Sequence, residues 1–171
     1  MDDWYTKADQ FYDEQREYEQ LIKQQKMARA ILVIGEPGTG KSRAAKNLDP
    51  KKTVIIKPNA KDLPFPGAAK MYVLNQNMFI LKTLKAVGDL LTQISTGAPH
   101  IENVIVEDLT HYFSKRVIDE LNIKGFEQWT QLAADTKTYI IDKESELRAN
   151  LNIFVIGHFF RIIKSYLNFV I

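Results

Sequence analysis

The chain is 171 residues long and carries 23 lysines and arginines against 21 aspartates and glutamates, a net charge of +2. That length suits one domain with a sizeable core, and so even a balance makes no global case for nucleic acid or a membrane surface. A composition that is 45% apolar and free of cysteine describes an ordinary soluble globular protein, fits a reducing cytosol, and excludes disulfides and cysteine-bound zinc. The histidines, His100, His111 and His158, are too scattered in sequence to read as a metal site by themselves. No run approaches the ~18 apolar residues that span a bilayer. The acidic start Met1-Asp2-Asp3-Trp4 is unlike a signal peptide, so the protein is read as cytoplasmic.

In chain order, residues 1–28 form an N-terminal amphipathic helix, with a stripe at Trp4, Ala8, Phe11, Gln15, Tyr18 and Ile22. Acids crowd its first half and Lys23 and Lys26 lie near its end, which complements the helix dipole. Such a helix either docks on its own domain, the reading preferred here, or is lent to a neighbouring subunit. The pattern then changes. Ala30-Ile31-Leu32-Val33-Ile34 is an apolar run without alternation, as expected of a strand buried on both faces of a parallel sheet. Thr53-Val54-Ile55-Ile56, Val104-Ile105-Val106 and Ile153-Phe154-Val155-Ile156 are three more. Helical patterns fill the gaps. One is the stripe Ile80, Leu84, Val87, Leu91 and Ile94, ended by Gly97 and Pro99. A second helix over residues 126–147 shows Trp129, Leu132, Thr136, Tyr139 and Lys143 along one face. Alternating strands and helices mean an α/β fold with a mostly parallel sheet flanked by helices, over residues 29–171.

Gly35-Glu36-Pro37-Gly38-Thr39-Gly40-Lys41-Ser42 matches the phosphate-loop pattern G-x-x-x-x-G-K-[ST] without a mismatch. It follows a predicted strand directly and opens a predicted helix over residues 41–48. Glycines let consecutive backbone N–H groups converge on phosphate oxygens, and the helix N-terminus adds a favourable dipole. In that reading Gly35, Glu36, Pro37, Gly38, Thr39, Gly40, Lys41, Ser42 and the adjoining Arg43 bind nucleotide. Lys41 reaches the β- and γ-phosphates of ATP, and the Ser42 hydroxyl ligates Mg²⁺.

A nucleotide-bound Mg²⁺ also needs a carboxylate at the tip of another buried strand. Val104-Ile105-Val106-Glu107-Asp108 supplies two in succession. Neighbouring strand residues point to opposite faces, so the two carboxylates have different tasks. Glu107 is assigned to the Mg²⁺ side, and Asp108 orients or deprotonates the attacking water; the reverse assignment is nearly as good. His158, at the tip of the last predicted strand, either senses the γ-phosphate through a hydrogen bond or is satisfied by a nearby carbonyl. Lys41, Arg43, Lys46, Lys51, Lys52, Lys57, Lys61 and Lys70 face only Asp49 and Asp62, a basic run that attracts phosphate or is simply a solvated face.

These pieces together carry a more specific likeness. GEPGTGKS, then Thr53 to Lys57 with Asn59 and Asp62-Leu63-Pro64-Phe65-Pro66-Gly67, then VIVEDLTHYF, then Gly125-Phe126 with Trp129, then FVIGH resemble a bacteriophage family. These are the RecA-like, AAA-type P-loop ATPases that phage genomes carry among recombination and replication genes, often described as single-strand-annealing-associated ATPases. The resemblance covers roughly residues 29–158. It implies a RecA-like sheet, ATP hydrolysis with Mg²⁺, and work on single-stranded DNA or with a DNA-bound recombination or replication protein, as a homo-oligomer in the host cytoplasm. It also implies catalytic roles for Lys41, Glu107, Asp108 and His158, with Ser42, Glu107 and Asp108 on the metal side.

The sequence departs from that family in two places. Lys57-Pro58-Asn59 stands where RecA-like recombinases place a catalytic glutamate, so either Asp108 takes that task or hydrolysis is slow. The apolar tail at residues 159–171 replaces an acidic, polar loop and further strands. It is either a closing element packed on the sheet or a truncated end. Two other functions follow the ATPase reading. One is a nucleotide-binding or assembly subunit without turnover. The other is a small nucleotide or metabolite kinase, disfavoured by arginines that do not cluster. Arg116, Lys115 and Arg148 are the basic residues outside the predicted strands that could complete a neighbour's site.

Overall fold

The computed structural model describes Tyr12, Asp13, Arg16 and residues 28–119 and 126–158, with backbone alone for residues 116–119 and 126–129. Tyr12, Asp13 and Arg16 are helical. Every residue of the N-terminal stripe, Gly125, the side chains of Arg116 and Trp129, and the tail at residues 159–171 lie outside the described residues.

Among the described residues five strands, β1 (Arg29–Gly35), β2 (Thr53–Lys57), β3 (Met78–Ile80), β4 (Asn103–Val106) and β5 (Asn152–His158), form one sheet. Their order is β1-β5-β4-β2-β3, and every pair is parallel. The described α-helices within residues 28–158 are α1 (Ala68–Met71), α2 (Leu84–Gly97), α3 (Leu109–Asp119) and α4 (Phe126–Thr136). This is an α/β fold with an all-parallel sheet flanked by helices, compatible with a Rossmann-like or P-loop-like architecture.

Strand alternation divides the core in two. Val54, Ile56, Val104, Val106, Ile153 and Val155 meet Leu84, Val87, Leu91 and Ile94 of α2 with Leu109 and Tyr112 of α3. On the opposite face, Ile55, Ile105 and Ile156 meet Ala45, Phe65, Ala68 and Tyr72. The chain moves from β1 through β2 to β3 along the second face and returns through β4 to β5 along the first. A right-handed crossover demands that switch of face whenever the direction of travel across the sheet reverses.

Three expectations need correcting. Strand β1 is not buried on both faces: among the described residues it pairs with β5 alone, and Ile31, Leu32 and Ile34 are 40%, 57% and 42% exposed. An apolar run marks a strand but does not say how many neighbours it has. Ile80 does not open a helix; it ends β3, a strand of three residues too short to show a pattern, and α2 starts at Leu84. Thr83 caps that start, its hydroxyl accepting a hydrogen bond from Ala86 N at 3.2 Å. The helix expected over residues 41–48 is a 3₁₀ segment at Ser42–Asn47, so its dipole contribution is smaller than a full α-helix would give.

The helical stretch over residues 126–147 exists but changes type, passing from α4 to a π turn at Lys137–Ile141 and a 3₁₀ turn at Asp142–Glu146. The π turn packs against α2 at Gly88, where a Cβ would lie 3.2 Å from the Tyr139 Cβ, Cδ1 and carbonyl oxygen. Arg148, a candidate to complete a neighbour's site, is committed to its own fold. Its Nη1 donates to Ile94 O at 2.7 Å, its Nη2 to the carbonyls of Ala98 and Ile101, and its Nε to Asn150 Oδ1 at 2.9 Å. The guanidinium thereby caps the C-terminal end of α2, where a cation and free carbonyls suit each other.

Candidate functional site

Because every strand is parallel, the ends of β1, β2, β4 and β5 open on one edge of the sheet, the usual place for a ligand in this architecture. A cavity of about 400 Å³ lies there. The loop after β1 forms one wall with Pro37, Gly38, Gly40, Lys41, Ser42 and Arg43. Residues 57–59 and 61–64, following β2, form another, and Glu107, Asp108, Ile156 and His158 close the floor.

The loop after β1 needs its glycines for backbone reasons. Gly38 and Gly40 have φ of +81° and +92°, and a Cβ at either would meet nothing within 4 Å. The left-handed angle, not crowding, requires glycine there. Lys41 folds back over the loop, its Nζ donating to the carbonyl oxygens of Gly35 and Glu36, each at 2.7 Å. The Thr39 hydroxyl donates to Glu36 O at 2.9 Å. Gly35, Glu36 and Thr39 thus hold the lysine and do not line the cavity, whereas the other residues expected to bind nucleotide do.

The loop and the acidic strand end meet directly. Ser42 Oγ donates to Glu107 Oε2 at 2.7 Å, joining residues far apart in sequence. Glu107 is only 8% exposed, and its Oε1 is buried without a hydrogen-bond partner among the described residues. Burial raises the Glu107 carboxyl above the ordinary glutamate range; the Ser42 hydrogen bond opposes this, the Asp108 charge adds to it, and Lys57 and Lys41 oppose it more weakly. A hydroxyl and a carboxylate with a spare buried oxygen form a hard, oxygen-only donor set that suits Mg²⁺. Among the described residues no group of three or more acidic, histidine or cysteine ligands gathers into a metal cage.

Asp108 has φ of 52°, the left-handed region, which aspartate tolerates better than most side chains. The turn there lets Asp108 O accept from His111 N at 2.8 Å and starts α3. Its Oδ1 lies 3.9 Å from His158 Nε2, and both side chains are about one-third exposed to the cavity. His158 pairs with Gly35 in the sheet register, so it stands beside the first residue of the loop. Its backbone N–H donates to the Thr110 hydroxyl at 3.0 Å, while its Nδ1 is buried without a partner among the described residues. The carbonyl expected as one alternative for that ring is therefore not present among them.

Some lining residues were not picked out in sequence as site residues: Lys57, Asn59, Lys61, Asp62, Leu63 and Pro64. The Leu-Pro-Phe-Pro-Gly stretch was the available signal. Phe65 inserts into the core with its ring edge-on to Tyr72 at 6.3 Å, and the Tyr72 hydroxyl donates to Ala45 O at 2.9 Å. Anchored in this way, the stretch turns Leu63 and Pro64 toward the cavity. The basic run also sorts out by position. Lys41, Arg43, Lys57 and Lys61 line the cavity, while Lys52 is paired with Glu102 at 2.7 Å.

No protein-family model matches the chain, and no curated protein matches it. Among the described residues, no helix is long and apolar enough to cross a membrane.

Proposed function

We propose that the protein is a P-loop ATPase of RecA-like type that binds ATP with Mg²⁺ and hydrolyses it, acting in phage DNA recombination or replication. The observation that carries this reading is the 2.7 Å bond between Ser42 of the glycine-rich loop and the buried Glu107. A glycine-rich turn that fitted the motif by coincidence would have no reason to meet a buried carboxylate from a strand two positions away in the sheet. In the proposed site, backbone N–H groups of residues 38–42 and Lys41 bind the phosphates, and Ser42 and Glu107 hold Mg²⁺. The metal, when bound, neutralises phosphate charge. The attacking water forms a bond to the terminal phosphorus as the bond to the ADP oxygen breaks, and its proton passes to Asp108, which His158 faces at 3.9 Å. Action on single-stranded DNA, a partner on DNA and assembly into a homo-oligomer are drawn from the family resemblance.

A second reading, a nucleotide-binding subunit without efficient turnover, is favoured by one feature: Lys57, not a glutamate, ends β2 beside the cavity. The kinase reading is weakened by a cavity in which Arg43 is the one arginine among the described lining residues.

The test is ATP hydrolysis by the purified chain with Mg²⁺, with and without single-stranded DNA, alongside Lys41→Ala. Turnover that rises with DNA and disappears in the variant supports the ATPase. ATP binding without turnover in either condition supports the subunit. Phosphoryl transfer to a small acceptor would establish the kinase instead.

A further inference from the structure

Lys57 is the last residue of β2 and the least expected member of the cavity wall. Alternation puts Val54 and Ile56 on one face of the sheet and Ile55 and Lys57 on the other. Along β4 it separates Val104 and Val106 from Ile105 and Glu107 in the same way. Ile56 pairs with Val106, and Glu107 N donates to Ile56 O at 2.8 Å. Lys57 and Glu107 are therefore neighbours on adjacent strands, on the face that carries the glycine-rich loop.

The lysine is only 5% exposed, and among the described residues its Nζ makes one hydrogen bond, to Lys61 O at 2.5 Å. An ammonium has three donors, and a buried one is costly unless anions and acceptors compensate it. Glu107 is the nearby carboxylate on that face, and Ser42 already occupies one of its oxygens. The cavity wall carries Lys41, Arg43, Lys57 and Lys61 against Asp62, Glu107 and Asp108, so positive charge exceeds negative before any ligand enters. An anion is the group that would satisfy the remaining donors of Lys57.

Resting on the nucleotide reading above, the geometry points to Lys57 as a second phosphate-binding lysine. It contacts the terminal phosphate of a nucleoside triphosphate from the β2 side, while Lys41 reaches it from the β1 side. The glycine-rich loop supplies backbone donors to the inner phosphates, so the donors beyond Glu107 face the outermost one. A residue that recognises that phosphate lets the site tell a triphosphate from a diphosphate. A residue that only braces the loop through Lys61 O affects both alike.

Calorimetric titration of the full chain with Mg·ADP and with a non-hydrolysable Mg·ATP analogue separates these. The variants are Lys57→Met, Lys57→Gln, whose amide keeps a donor for Lys61 O, and Lys41→Ala. The neutral Lys57 variants should hold ADP within about twofold of the parent and lose roughly tenfold in affinity for the triphosphate. Lys41→Ala should weaken both. Should the methionine variant fail to fold, as a thermal melt would show, the same ratio is read from Lys57→Gln. Equal weakening of both nucleotides, or none, overturns the role of Lys57 and leaves the nucleotide site standing. A parent that binds neither nucleotide overturns the site itself, and the lysine's role with it.

Discussion

Replacing Ser42 with alanine removes the only hydrogen bond that the Glu107 carboxylate makes among the described residues, at 2.7 Å, and its other oxygen is already unpartnered. A hydrogen bond to a charged group contributes about 1.5–3 kcal/mol, and leaving a buried acceptor orphaned takes the variant to the upper part of that range. For a domain of this size the change lowers the melting temperature by about 5–12 °C. The measurement is urea denaturation of metal-free protein in EDTA, parent against variant, across pH. Burial lifts the Glu107 carboxyl above its ordinary 4.5, so the native state holds its proton more firmly than the unfolded chain does. Stability therefore falls as pH rises through the interval between those two values. Without the Ser42 hydroxyl to favour the ionised form, that interval extends upward. The gap between parent and variant should be small near about pH 4 and widest near about pH 8. The companion Ser42→Ala/Glu107→Met leaves no orphaned carboxylate and should lose the pH dependence of the gap, but it should stay less stable than the parent because the buried Lys57 ammonium loses its neighbouring carboxylate. A Ser42→Ala variant within about 0.5 kcal/mol of the parent at neutral pH, or a gap that does not change with pH, would refute the link between loop and strand.

The three remaining predictions concern the scaffold. Arg148→Ala should cost about 2–4 kcal/mol in urea denaturation and speed amide exchange in the last turn of α2, because Ile94, Ala98 and Ile101 lose the donor on their carbonyls. Arg148→Lys should recover only part of this, as a single ammonium cannot span the fork. Gly88→Ala should cost about 1–3 kcal/mol, since the new methyl meets three Tyr139 atoms at 3.2 Å, backbone among them; an unchanged melting temperature would mean that the π turn moves aside freely. Tyr112→Phe should be neutral or stabilising by about 1–2 kcal/mol, because its buried hydroxyl has no partner among the described residues. A loss larger than about 1 kcal/mol would mean that the hydroxyl is bonded in solution.

Much of the wall-forming chemistry could be read from local sequence. A glycine-rich loop between an apolar run and a lysine is a local object, because positive φ at Gly38 and Gly40 is a property of those residues and not of their neighbours. The four apolar runs marked β1, β2, β4 and β5, since valine and isoleucine favour extended backbone whatever packs on them. The two acids at the end of β4 were visible for the same reason.

Tertiary structure decided the rest, because each remaining property belongs to a pair of segments. The sheet order left β1 with one described neighbour, which no count of its apolar residues conveys. Three residues, Met78 to Ile80, became a strand only because β2 offered an edge. Arg148 was a free cation in sequence and became the cap of a helix more than fifty residues earlier once β5 had docked beside β4. Glu107 was separated from Asp108 by contact: strand alternation gives the two acids opposite directions, but only the folded loop brings the Ser42 hydroxyl to one of them. Lys57 makes the same point most sharply. In sequence it is one lysine in a basic run, and the cross-strand pairing of β2 with β4 puts it beside a buried carboxylate at the edge where the cavity opens.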